Sequence, residues 1–297
     1  MRGWPSSPMT STAPLMVSVR SPLLKECRLT RISKRKSERI MDYALPNFCI
    51  DLKGQNALVT GASAGLGVRF AKTLARCGAQ VALTARRLDR LESVAAEISA
   101  AGGKAVPLQL DVTDADQLTK VVAEAERQLG PVTILVNNAG IPDAQRATKM
   151  PMDLIDRVLD TNVRAPYVLS CEVARRLIAA KLPGRIVNLA SSSAYSYGGN
   201  GAALYSISKA AVVRMTEALA VEWAKFNINV NAIAPGAFSS EMMDGMLQRV
   251  GDITKGFPRP RIGDPAQLDS TLLFLVSPSS DFVTGTCVRV DDVQTGR

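Results

Sequence analysis

NALVTGASAGLGVRFAKTLARCGA, residues 56–79, changes its period partway. NALVT is a short apolar run of strand length. GVRFAKTLARCGA repeats its apolar residues at helical spacing and ends at Gly78. Between them lies TGASAGLG, with Gly61, Gly65 and Gly67 in a GxxxGxG spacing. Small residues at such a corner allow a tight turn and let a pyrophosphate come close to the helix N-terminus. There, free N–H groups and the helix dipole favour negative charge. A glycine turn alone is weak evidence. A strand before it and a helix after it make it a dinucleotide site, with Gly61, Ser63, Gly65, Leu66 and Gly67 as cofactor contacts.

Outward from this corner, strand and helix alternate. QVALTAR is a second strand and LDRLESVAAEISAAGG a helix closed by two glycines. AVPLQLDV is a third strand, DADQLTKVVAEAERQLG a helix, and VTILVNNAG a fourth strand. A long helix is expected over about 151–181, then a strand in GRIVNLAS. A helix running to about Phe226 follows, then the strand INVNAIAPG, the helix AQLDSTLLFLVS and a last strand, GTCVRVDD. The strands are continuous apolar runs, as strands buried on both faces are. Right-handed crossovers then predict an α/β fold with one doubly wound parallel sheet and helices on both faces.

The 297 residues suit one large α/β domain, and 46% hydrophobic with 21% charged residues is ordinary for a globular chain. No apolar run approaches the roughly 18 residues of a membrane span. The net charge of +9 is concentrated at one end: residues 1–40 hold nine Lys/Arg against two acids, leaving the remainder nearly balanced. Residues 1–45 therefore read as an irregular basic extension ahead of a domain over 46–297, and a nucleic-acid partner is not expected. A solvated tail or a natural start at Met41 accounts for the extension better than an organelle-targeting peptide. Five scattered cysteines without a CxxC pair read as thiols in a reducing, cytoplasmic setting. The chain has no histidine, which excludes a Ser-His-Asp triad, a Cys-His dyad and histidine-ligated zinc.

Four further motifs carry chemistry. TARR ends the second strand, where an NAD site of this architecture places an acid on the ribose hydroxyls. Arg86, followed by Arg87, stands there instead and suits a 2′-phosphate, so NADP(H) is expected over NAD(H). In LDV, Asp111 offers a carboxylate to an adenine amino group and Val112 a packing surface, while Asp114 is free to cap the helix. In NNAG, Asn138, Ala139 and Gly140 let the backbone pass beside a cofactor, and Asn137 holds strand contacts. In YSISK, Tyr205 and Lys209 lie four apart and share a helix face. A nearby ammonium lowers a phenol's pKa and lets it exchange a proton with a substrate oxygen.

Together, TGxxxGxG, NNAG, an upstream serine, YxxxK and a following PG resemble the short-chain dehydrogenase/reductase family over about residues 52–291, nearest its 3-oxoacyl-carrier-protein reductase branch. The resemblance implies a Rossmann-type fold and interconversion of a secondary alcohol and a ketone, with a small carbonyl or alcohol substrate such as a 3-oxoacyl thioester. It implies that Tyr205 transfers the proton, that Lys209 also holds the nicotinamide ribose, and that Asn162 anchors a water relay to the lysine. The family's serine falls at Ser191 by counting along the strand and at Ser192 by counting back from the tyrosine. Pro235 and Gly236 would line the nicotinamide, with Phe238 and Ser240 near its carboxamide. A Met-rich segment after them is either a substrate lid or core packing. The family also implies a homodimer or homotetramer through the Tyr205 helix and the one before it. A non-catalytic NADP(H) sensor with the same fold is the rival reading, and the intact Tyr, Lys, Ser and Asn set speaks against it. The family's terminal VDGG is replaced by VDDVQTGR.

Overall fold

The computed structural model describes residues 47–199 and 201–295, so the basic extension and the start expected at Met41 lie outside it. Seven strands form one sheet: Asn56–Thr60 (β1), Gln80–Ala85 (β2), Lys104–Gln109 (β3), Ile134–Asn137 (β4), Gly184–Leu189 (β5), Ile228–Pro235 (β6) and Cys287–Val290 (β7). Their order is β3-β2-β1-β4-β5-β6-β7, and every neighbouring pair is parallel. The expected doubly wound sheet is therefore present. Its order reverses between β1 and β4, which opens a crevice beyond their C-terminal ends.

Helices Gly65–Arg76 (α1), Leu88–Ala100 (α2), Ala115–Leu129 (α3), Met152–Leu159 (α4), Ala165–Ala180 (α5), Ala203–Trp223 (α6), Glu241–Val250 (α7) and Asp269–Val276 (α8) surround it. Period-two alternation divides the strand residues between two cores. Ala57 and Val59 of β1 pack with α1, α2 and α8, whereas Leu58 packs with α3, α5 and α6. All five β1 residues are buried, which explains why the strand reads as a continuous apolar run.

Three details depart from the sequence pattern. The single helix expected over 151–181 is interrupted by a wide turn of π-helix, Asp160–Arg164, which carries Asn162. Such bulges recur at functional sites because they redirect one side chain without ending the helix. The Met-rich segment forms α7, and none of its residues is buried, so it is a surface element and not core. Cys77, Cys171 and Cys287 are free thiols, but Cys49 is disulfide-bonded, against the all-thiol expectation. No helix among the described residues is long and apolar enough to cross a membrane.

Candidate active site

The site begins with Thr60, the last residue of β1. Its hydroxyl oxygen accepts the N–H groups of Asn138 and Ala139, each at 3.0 Å, and so ties the end of β4 to the end of β1. Asn138 Nδ2 donates to Thr60 O at 2.9 Å. This knot leaves no room at the turn: a Cβ on Gly67 would lie 2.2 Å from Gly61 O. The glycines are required by close approach, and Gly61 and Gly65 also take positive φ. Helix α1 starts without a side-chain cap and without an acid in its first turn. Its first N–H groups are left for an anion, and a dinucleotide's pyrophosphate fits that cradle. Ser63 stands in the turn itself, while Leu66 packs on the first core.

Arg86 and Arg87 follow β2 and are both exposed. The two differ in a way their adjacency hid. Arg87 donates through Nη2 to Ser63 Oγ at 3.1 Å and pairs with Glu241 of α7 at 3.2 Å, and Arg90 also pairs with Glu241. Arg87, not Arg86, is the guanidinium drawn to the turn. Asp111 accepts Thr113 N–H at 2.9 Å through one oxygen, and Asp114 caps α3, so the capping duty falls where expected. Val112 packs against the second core.

Asn137 donates to Asn188 Oδ1 at 2.8 Å and to Ser170 Oγ at 3.0 Å, a buried network joining β4 to β5 and α5. Gly140 lies between two functional side chains: a Cβ there would be 3.3 Å from Lys209 Nζ and 3.4 Å from Asn162 Oδ1. Asn162 accepts Ile141 N–H at 2.9 Å and donates to Ile141 O and Ser208 Oγ, each at 3.0 Å. These bonds hold the loop after β4 against α6.

Tyr205 and Lys209 occupy successive turns of α6. Lys209 is buried; Nζ donates to Leu189 O at 2.7 Å and lies 5.7 Å from the Tyr205 ring centre. Burial pulls its pKa down to about 8. The Tyr205 hydroxyl is raised above its ordinary value, mainly by burial. A hydrogen bond from Ser191 opposes the rise, and the Asp143 carboxylate adds to it. The lowering expected from the lysine is absent, because the ammonium faces a carbonyl of β5 and not the phenol. Ser191 acts on the Tyr205 hydroxyl and accepts Ser193 N–H at 3.1 Å, and both Ser191 and Ser192 are buried. Asp143 gave no local signal. Its partner, the N–H of Tyr205 at 3.1 Å, is 62 positions away, and through it Asp143 caps α6 from another loop.

After β6, Pro235 and Gly236 lead toward α7. A Cβ on Gly236 would meet Gln294 Oε1 at 2.3 Å, and that oxygen accepts Ala237 N–H at 2.6 Å. The Phe238 ring is buried in the first core and covers Gly263. Ser240 caps α7 and lies over the glycine turn, 3.3 Å from where a Cβ on Gly65 would sit. Asp292 and Val293 take positive φ where the family has glycines, and Asp292 pairs with Arg259 and Arg261. Among the described residues no cluster of His, Cys, Asp or Glu could hold a metal.

A glycine cradle at a sheet's switch point, beside a Ser–Tyr contact and a buried lysine, defines a dinucleotide-dependent oxidoreductase. The comparisons make this specific. Residues 55–250 match the family model described as short chain dehydrogenase, and the chain belongs to that family. It is an enzyme acting on CH–OH and C=O groups. Gluconate 5-dehydrogenase of Gluconobacter oxydans is 37% identical over 81% of this chain and 94% of its own. A short-chain type dehydrogenase/reductase from Mycobacterium marinum superposes with a TM-score of 0.81 at 37% identity, covering 84% of this chain and 98% of that one. A blue fluorescent protein from a metagenomic library, solved with NADPH, superposes at 0.76 with 33% identity, covering 82% and 98%.

Proposed function

We propose that the protein interconverts a secondary alcohol of a polyhydroxylated substrate and the corresponding ketone, using NADP(H) in preference to NAD(H). The observation that carries this is the Ser191–Tyr205 contact one helical turn from a buried Lys209. When bound, the nicotinamide supplies or accepts hydride. Tyr205 gives the proton to the ketone oxygen during reduction and takes it back during oxidation. Ser191 holds that oxygen, which favours it over Ser192 as the working serine. Asn162 keeps the loop after β4 in place, and Lys209 lies within reach of a ribose. The cofactor preference rests on the basic residues after β2 and the lack of an acid there. The substrate class rests on likeness to a gluconate dehydrogenase and replaces the 3-oxoacyl thioester as the favoured reading. Homo-oligomerisation and a cytoplasmic location remain part of the proposal.

The test is fluorescence titration of the purified full-length chain with NADPH and NADH, followed by turnover on polyols and sugar acids. Tyr205→Phe is expected to lower kcat by about a hundredfold or more while leaving the nucleotide Kd within about twofold, since the proton-transfer contribution is typically about 10²–10⁴-fold. Retained turnover in that variant would refute the role of Tyr205.

A further inference from the structure

A cavity of about 420 Å³ opens beside the site, between the loop after β4, the loop before α6 and the end of α7. Arg146, Lys149 and Arg249 line it, together with Gly199 and Gly201, and its lining includes no acid. Several guanidinium groups elsewhere are matched: Arg69 pairs with Asp269, Arg127 with Glu124, Arg176 with Glu126 and Glu172, and Arg261 with Asp292. Among the described residues, the three cations of the cavity have no such partner. Like charges gathered without a counter-ion repel one another, and an anion among them relieves that repulsion.

The cavity shares a wall with the catalytic turn. Gln145 bridges to Ala202, and a Cβ on Gly201 would lie 3.5 Å from Gln145 C. Asp143, in the same loop, accepts the N–H of Tyr205. Asp143 is buried and turned to Tyr205, and it forms no ion pair with the three cations.

We propose that this cavity holds an anionic group of the substrate, a carboxylate or phosphate, several atoms from the carbon that is oxidised. Arg146 and Arg249 fork onto its oxygens and Lys149 adds a point charge. The inference rests on the alcohol–ketone reading above. It adds that the substrate is an acid, and it names the residues that select it.

Three substrates with one six-carbon polyol chain test it: sorbitol, gluconate and sorbitol 6-phosphate. The expected result is a kcat/KM at least tenfold higher for one or both anions than for sorbitol. Joint replacement Arg146→Gln, Lys149→Gln and Arg249→Gln then removes that advantage by raising KM, with kcat kept and sorbitol turnover unchanged. The unchanged sorbitol rate also shows that the variant is folded. The better anion tells carboxylate from phosphate. Oxidation of sorbitol equal to or better than both anions overturns this inference and leaves the oxidoreductase reading standing. So does a triple variant that loses activity equally on all three. No oxidation of any of them with either nucleotide overturns both.

Discussion

Lys209 shows what burying a lysine costs the fold. Its pKa falls from 10.5 to about 8 because burial disfavours the charge. A depressed lysine pKa means that the unfolded chain binds more protons between those two values, so stability rises with pH across that window and the penalty is full below it. Replacing Lys209 with Met is therefore expected to raise stability at pH 7 by roughly 2 kcal/mol after allowing for the lost bond to Leu189 O, with the gain shrinking as pH rises through 8 toward 10.5. Thermal melts at pH 7 and pH 10 check this; equal gains at both would show that charge burial is not the cause. Val293 shows strain of another kind. A β-branched residue at φ 59 pays for its Cβ, so Val293→Gly is expected to stabilise the chain by about 1 kcal/mol in denaturant titration. The motifs around these residues were legible because each is local: TGASAGLG, NNAG and YSISK are contiguous runs. The choice between Ser191 and Ser192 was not, because an extra residue before Tyr205 leaves counting ambiguous and only the folded chain brings one hydroxyl to the phenol.

At the scale of elements, α7 rests on the nucleotide side of the crevice. Ser240 at its start lies over Gly65, and Glu241 engages both Arg87 and Arg90. Arg87, one of the two arginines after β2 proposed for a 2′-phosphate, thus already holds a carboxylate supplied by α7. Glu241→Gln is expected to tighten NADPH binding several-fold and leave NADH binding unchanged, as competitive titrations of the two nucleotides would show. Equal effects on both would mean that the pairs only position α7. Nothing in the sequence pattern announced this contact, since Glu241 and Arg87 are 154 positions apart and each reads alone as an exposed charge. The break of the helix over 151–181 was hidden for a related reason. A π turn keeps helical periodicity on both sides and changes only the register between them.

For the whole molecule, the legible part is the alternation of buried strands and amphipathic helices, which determines class and handedness. Strand order is not local, and no contiguous motif in the chain states that β1 lies between β2 and β4. The same helices that carry the site leave apolar side chains outward: Tyr167 on α5, and Ile207 and Val221 on α6, the last 81% exposed. Light scattering is expected to give a homodimer or homotetramer, and Val221→Glu to shift it toward smaller species. A monomeric parent would sink that expectation.

The C-terminal turn has a consequence for synthesis. Gln294 holds the backbone at Ala237, and Asp292 holds Arg259 and Arg261. A chain leaves the ribosome N-terminus first, so the wall expected beside the nicotinamide is fastened by residues that emerge after all seven strands of the sheet. A nascent chain can therefore assemble its sheet before that wall exists, and a chain truncated after Val290 is expected to fold yet bind its nucleotide more weakly.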